Sequence, residues 1–249
     1  MSALVKVMDR VLYPGVQSNW DDDRFRDEIL KHVNRDSCLL DLGAGAGIIP
    51  KLRFRRQVAR VCGVDLDERV LENPHLDEAK VADAQRIPYN DARFDVVIAN
   101  NVLEHLEEPA NVFQEVSRVL KPGGVFLAKT PNRWHYVAIT ASITPHWFHE
   151  TVNQWRGRKS VDTFPTLYRA NTPRAIESFA EMAQFDQTEF VFLEGRPEYL
   201  RLTPPTYLIG WAYERLVNLT PGATRFSAAM IAVLRKQEAA LSDAYADAA

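Results

Sequence analysis

Four apolar runs end on polar residues, and the residue types suggest one ligand. "LLDLGAGAG" carries Asp41, then glycines at 43, 45 and 47. "VCGVDLD" reaches Asp65, "AKVADA" contains Asp83, and "FDVVIANN" ends on Asn100 and Asn101. A glycine turn after a strand lets a ligand approach the backbone, because no Cβ intervenes. A dinucleotide cradle needs G-x-G-x-x-G and a helix N-terminus facing pyrophosphate. Here the spacing is G-x-G-x-G, with a carboxylate two residues ahead of the first glycine. That carboxylate disfavours an anionic pyrophosphate and suits a ligand cation. Asp65, 18 residues past Gly47, can accept from both hydroxyls of a ribose. Asp83 can accept from an exocyclic amine such as adenine N6, and Leu66 and Ile87 are apolar neighbours able to sandwich a base. The expected ligand has a ribose and a cationic end and does not require phosphate.

Those positions matter only if a scaffold brings them together. "DDDRFRDEILKHV" opens with three acidic residues, favourable at a helix N-terminus; residues 1–20 before it read as a lead-in with a Pro14-Gly15 turn. "CLLDLG", "VCGVDL", "AKVADA", "FDVVIANN" and "VFLAKT" read as short strands buried on both faces. "LRFRRQVARV" and "EPANVFQEVSRVLKPGG" read as helices between them, the second stopped by Pro122 and its glycines. Strand and helix alternate from about residue 22 to residue 130, the pattern of a doubly wound parallel sheet. Residues 131–170, rich in aromatics, Pro and His, break it. A helix resumes at "NTPRAIESFAEMAQF", with Thr172 as N-cap and Pro173 at its first position. "EFVFLEG" and "RFSAAMIAVLRK" read as two further strands around an insertion, residues 197–224.

The chain has 249 residues and a formal net charge of −3, which gives no electrostatic reason to expect nucleic acid as a partner. Its two cysteines, Cys38 and Cys62, form no disulfide framework or metal spacing, so a reducing cytoplasm is expected. "MSALVKVMDRVLYPG" lacks the apolar core of a signal peptide, and no apolar run is long enough to span a bilayer.

In order and spacing, "LLDLGAGAG", "VCGVDLD", "VADAQRIPYNDARFDVVIANNVLEHLEEP" and "VSRVLKPGGVFLAKTPN" resemble the class I S-adenosylmethionine-dependent methyltransferases. The likeness spans about residues 36–132 and is to the bacterial group that includes ubiquinone-biosynthesis-type enzymes. It implies an α/β, doubly wound, Rossmann-like seven-stranded sheet with the last strand antiparallel and a helical, aromatic cap. It implies one domain over 1–235, with a cofactor-binding core at 22–130, cap segments at 131–170 and 197–224, and a flexible tail at 236–249. The implied cofactor is S-adenosyl-L-methionine. Gly43, Ala44 and Gly45 would meet its amino-acid end with Asp41 nearby. Asp65 would bind the ribose, Asp83 and Ala84 the adenine with Leu66 beside it, and Asn100 would line the methionine portion.

Methyl transfer from a sulfonium is an in-line displacement, so the protein mainly aligns the nucleophile and excludes water. A hydroxyl acceptor also needs a base. His105, His135 and His149 are the unranked candidates, with Tyr136, His146 and Glu150 in the same aromatic stretch. Some relatives hold a metal through a Glu-His pair and an acidic residue three positions before the Glu. Here that position is Asn101, beside Glu104 and His105, so no metal is expected. "WRGRK", residues 155–159, suits either an acidic substrate or a solvated loop. Tyr168 and Arg169 can touch substrate or anchor their loop.

"PPTYLIGWAYERLVNLTP", residues 204–221, reads as a helix from about Tyr207, apolar except for a stripe of Gly210, Glu214, Arg215 and Asn218. Burial in its own domain is the default for such a face; a homodimer face and peripheral membrane contact are the alternatives. The expected activity is methyl transfer to a small-molecule, lipid or saccharide acceptor, with oxygen favoured. Its rivals are a binding protein that keeps the cofactor pocket without catalysis and a nicotinamide-dependent oxidoreductase.

Overall fold

The computed structural model describes residues 3–16, 20–143 and 165–238. Seven strands form one sheet: β1 (Cys38–Leu42), β2 (Arg60–Asp65), β3 (Glu78–Val81), β4 (Phe94–Asn100), β5 (Leu120–Pro131), β6 (Phe185–Leu193) and β7 (Ala229–Lys236). Their order is β3-β2-β1-β4-β5-β7-β6. The pairs from β3 to β5 are parallel. The last strand in the chain, β7, inserts between β5 and β6 and runs antiparallel to both. The chain builds outward from β1 to β3, then returns to place β4 on the other side of β1. That reversal opens a crevice at the carboxyl ends of β1 and β4, where open α/β sheets bind ligands.

Alternation within the strands explains the double burial. Val97 and Ala99 of β4 face one core with Leu40, Leu42 and Val64, while Val96 and Ile98 face the other with Leu39 and Val61. Helices α3 (Pro109–Val119) and α5 (Pro173–Met182) cover the first face through Val112, Phe113, Val116 and Ile176. Helix α2 (Trp20–Leu30) covers the second through Phe25 and Ile29. Thr172 caps α5 by accepting from the Ala175 amide, and Pro173 follows in the first turn. The remaining helices are α1 (Ala3–Leu12), α4 (Tyr136–Ile143) and α6 (Pro204–Leu219).

Three elements depart from the sequence expectation. The lead-in contains α1. The segment expected as the helix "LRFRRQVARV" has only a short 3-10 turn, Pro50–Leu52, and then an irregular path with Arg56 at φ +75°. Phe54, Val58 and Val61 keep helical spacing and are all buried, yet the backbone between them is not helical. Arg26 of α2 takes over the role of missing helical bonds, donating to the Lys51 carbonyl at 2.6 Å and to Gln57 Oε1 at 2.6 Å, with its guanidinium over the Phe54 ring. Helix α6 begins at Pro204, and its polar stripe is split: Gly210 and Glu214 are buried, Arg215 and Asn218 exposed, while Leu208, Ile209, Leu216 and Leu219 face outward.

The acidic first turn of α2 has a tertiary partner. Lys129, at the end of β5 and 1% exposed, lies 2.6 Å from both Asp21 Oδ2 and Asp22 Oδ1. Removing one member of a buried ion cluster leaves the others uncompensated, at a cost of about 3–5 kcal/mol. Lys129→Ala is expected to lower the unfolding free energy by about 3 kcal/mol in urea titration, and a loss no larger than that of an exposed lysine would contradict the latch.

Candidate functional site

The glycine turn after β1 is held by side chains from neighbouring strands and loops. The Gly43 amide donates to the Val64 carbonyl at 2.8 Å. The Gly45 amide donates to Asp65 Oδ2 at 2.8 Å, and the Asp67 amide to Asp65 Oδ1 at 2.9 Å. Gly43 sits at φ +79°, and a Cβ there would stand 2.4 Å from Val102 Cγ2. Gly47 sits at φ +70°, and a Cβ there would stand 2.3 Å from Asn73 Oδ1. Asn73 in turn donates through Nδ2 to the Ala44 and Gly45 carbonyls at 3.3 and 3.1 Å. No α-helix follows the turn, so the anion site that a helix N-terminus provides is not built here.

Above this turn lies a cavity of about 850 Å³, lined by the carboxyl ends of β1, β2 and β4 and the loop after β3. Asp41, Gly43, Ala44, Gly45, Asp65, Leu66, Asp83, Ala84 and Asn100 all line it. Asp41 is buried, and desolvation followed by the charge of Asp65 pushes its pKa up to about 7. Asn100 donates to Asp22 Oδ1 at 3.4 Å, while its own Oδ1 is buried with no hydrogen-bond partner among the described residues. Asp41 and Asn100, on adjacent strands, thus line the cavity with a buried acid that has no counter-charge and a buried amide oxygen that has no donor. Asp83 already accepts from the Gln85 amide at 2.8 Å, which fixes its loop. Of the two apolar residues expected around a base, Leu66 is at the cavity. Ile87 instead belongs to the buried core and does not line it; Ala84, Leu106 and Val112 supply apolar wall there.

The catalytic candidates separate. His105 lines the cavity, and its Nδ1 stands 2.9 Å from the Pro165 carbonyl. A carbonyl only accepts, so the neutral ring carries its proton on Nδ1 and its lone pair on Nε2. Its neighbour Glu104 is structural: Oε2 accepts from Thr130 Oγ1 at 3.0 Å, and its main-chain carbonyl accepts from the Leu167 and Tyr168 amides at 2.7 and 3.2 Å. Burial raises the Glu104 pKa. Arg169 donates to the Glu107 carbonyl, so this stretch anchors the loop that brings Pro165 and Leu167 to the cavity wall.

His135 is elsewhere. It is buried, stacks near Tyr136 and Tyr213, places Nε2 3.7 Å from Glu194 Oε2, and does not line the cavity. Burial lowers its pKa to about 4 and raises that of Glu194 to about 7, so near neutral pH the ring is uncharged. His149, with His146, Glu150 and "WRGRK", lies outside the described residues. Of the two expected cap segments, only the first contributes described residues to the cavity wall; no residue of 197–224 does. Asn73, Val102 and Pro165 were not legible as site residues. Each acts through a contact with a loop distant in sequence, and none carries a periodic or motif signal of its own.

This strand order, with β7 antiparallel between β5 and β6 and a glycine-turn cavity at the switch point, is the architecture of the class I S-adenosylmethionine-dependent methyltransferases. Residues 40–128 match the family described as "Methyltransferase domain". The chain is 35% identical over 106 residues to a ubiquinone biosynthesis O-methyltransferase of Leptothrix cholodnii, covering 38% of this chain and 44% of that one. A ubiquinone biosynthesis O-methyltransferase of a Methylobacterium species is 29% identical over 204 residues, covering 74% and 79%. A solved S-adenosylmethionine-dependent methyltransferase of Archaeoglobus fulgidus aligns with TM-score 0.58 at 16% identity, covering 94% of this chain and 100% of that one. The chain spans less than half the length of the Leptothrix relative. Residues 40–128 thus match a methyltransferase domain, within a chain whose fold is that of the class I S-adenosylmethionine-dependent methyltransferases.

The turn makes a local prediction. Gly47→Ala combines left-handed backbone strain with the clash against Asn73, and is expected to cost about 1–3 kcal/mol of stability. In chemical denaturation Gly47→Ala should cost less in an Asn73→Ala background than in the native chain, because one of the two causes is then gone.

Proposed function

We propose that this chain binds S-adenosyl-L-methionine in the cavity and transfers its methyl group to the oxygen of a small-molecule, lipid or saccharide acceptor. The observation that carries this reading is the pair Asp41 and Asn100. Two residues with buried acceptors that line one cavity, one of them a carboxylate with no cation beside it, fit the ammonium group of an amino-acid ligand. Asp65 retains acceptor capacity on both oxygens beyond its two backbone bonds, which suits the ribose diol. Asp83 and Ala84 would meet the adenine, with Leu66 beside it. When bound, the cofactor supplies an activated methyl carbon and a neutral leaving group.

The chain's own residues then have three tasks. Asp41 and Asn100 hold the amino-acid end. The wall made by Leu106, Pro165 and Leu167 excludes water from the reacting end. His105 takes the proton of a hydroxyl acceptor on Nε2, while the Pro165 carbonyl keeps the other ring proton on Nδ1. The names of the curated relatives, ubiquinone biosynthesis O-methyltransferases, support an oxygen acceptor. The cytoplasm is the proposed compartment; no described helix is long and apolar enough to cross a membrane.

The test combines calorimetry with S-adenosylhomocysteine and a labelled-methyl screen across phenols, quinols, sugars and lipids. Binding of reduced nicotinamide dinucleotide without S-adenosylhomocysteine would overturn the cofactor assignment. Cofactor binding with silence across the acceptors would favour a non-catalytic binder. His105→Gln is expected to lower transfer to a hydroxyl acceptor by about 10²–10⁴-fold while S-adenosylhomocysteine affinity stays unchanged.

Asp41 sets a pH dependence. In the free protein its pKa stands near 7, and a bound ammonium lowers it by favouring the carboxylate. Below pH 7 binding must therefore release a proton, so affinity falls as pH falls, at most about tenfold per unit. Above 7 this dependence vanishes. Calorimetry in buffers of different ionisation enthalpy should detect proton release near pH 6, and Asp41→Asn should abolish it.

A further inference from the structure

Helix α6 is turned inside out for a helix on a water-soluble surface. Its buried residues are Tyr207, Gly210, Glu214 and Val217. Its outward residues Leu208, Ile209, Leu216 and Leu219 are between 50% and 77% exposed. Their spacing places them on one helical face. The Glu214 carboxylate is held inside, accepting from Tyr13 Oη at 3.0 Å and Asn218 Nδ2 at 2.6 Å. Helix α1 repeats the arrangement beside it. Val5 is buried, while Leu4, Val7 and Val11 are between 50% and 69% exposed. Asp9 turns inward, accepting from Tyr207 Oη at 2.9 Å and pairing with Arg201.

The two helices share one small core. Val5, Tyr13 and Tyr207 pack together, with Met8, Leu12 and Trp211 around them. On the opposite flank of α6, Tyr213 donates to the Phe226 carbonyl, and Arg225 lies over the exposed Phe226 ring. The two outward stripes thus flank one small core. They lie at the edge of the sheet where β5 and β6 end and β7 begins, the same edge that carries the cavity.

The charge distribution selects the occupant. Each acidic residue of these two helices, Asp9 and Glu214, points inward. The charges left toward solvent are Lys6 and Arg10, and the half-exposed Arg215 beside the stripe pairs with Glu214 Oε2 at 3.3 Å. We infer that the outward face of α1 and α6 docks peripherally on an anionic lipid bilayer. An apolar stripe bordered by basic residues is the composition of an interfacial helix. A second copy of this chain fits less well: a two-fold interface makes a patch meet itself, and these helices offer no exposed acid to meet their cations.

This inference does not depend on methyl transfer, and its test reads binding alone. The full chain is sedimented with vesicles of phosphatidylcholine, or of phosphatidylcholine with a quarter phosphatidylglycerol. Partition onto the anionic vesicles is expected, at least about tenfold stronger than onto the neutral ones and weakened by salt. Leu208→Gln with Leu216→Gln should abolish it. Lys6→Gln with Arg10→Gln should weaken it about fivefold per charge removed. All four side chains are exposed, so thermal melting should be unchanged, which separates docking from unfolding. No partition onto anionic vesicles, equal partition of the variants, or a dimer in solution that Leu216→Gln dissociates would each overturn the inference.

Discussion

The carboxylate of Asp65 holds the glycine turn, and the cavity depends on that bond. One oxygen accepts from the Gly45 amide and the other from the Asp67 amide, so the ends of β1 and β2 are tied at the point where a ligand must enter. Each carboxylate oxygen has two lone pairs, which lets one residue shape the turn and still bind a diol. The turn is not continued by a helix, so its remaining restraints come from side chains: Asn73 beneath the Ala44 and Gly45 carbonyls, and Val102 against Gly43. Restraint by side chains leaves the turn without the concentrated positive end of a helix, in keeping with a ligand that needs no phosphate site.

Buried charge is arranged in two different ways around the cavity. Lys129 is answered by Asp21 and Asp22, and Asp22 in turn accepts from the Asn100 amide. That chain of contacts ties α2 to the rim of the site. Asp41 has no cation beside it, and burial with Asp65 nearby raises its pKa to about 7. The first arrangement stabilises the fold. The second leaves a buried acid whose ionised form a cationic ligand would favour, which is how a binding site differs from a structural ion cluster.

Neighbouring residues also divide their roles. Glu104 faces inward, its carboxylate accepting from Thr130 of β5 and its carbonyl latching the loop after residue 164, while His105 faces the cavity. His135 and Glu194 form a buried pair away from the cavity, beneath the aromatic rings of Tyr136 and Tyr213. A histidine in an aromatic-rich segment is thus equally suited to packing and to chemistry, and only its surroundings decide.

The apolar runs and their terminal residues were enough to read the doubly wound sheet and the polar positions at its carboxyl edge. Strands buried on both faces leave a continuous apolar signature, and the ends of parallel strands must converge on one edge. Local preference also placed the cap of α5, because Thr172 and Pro173 act within one turn. The missing helix after the glycine turn, the inward Glu214 of α6, and the separation of His105 from His135 were decided by tertiary contacts: Arg26 reaching the Lys51 carbonyl, Tyr13 donating to Glu214, and Glu194 beside His135. Those partners lie far apart in the chain. Sequence periodicity reports which residues share a face, while the direction that face points is set by what the rest of the fold places against it.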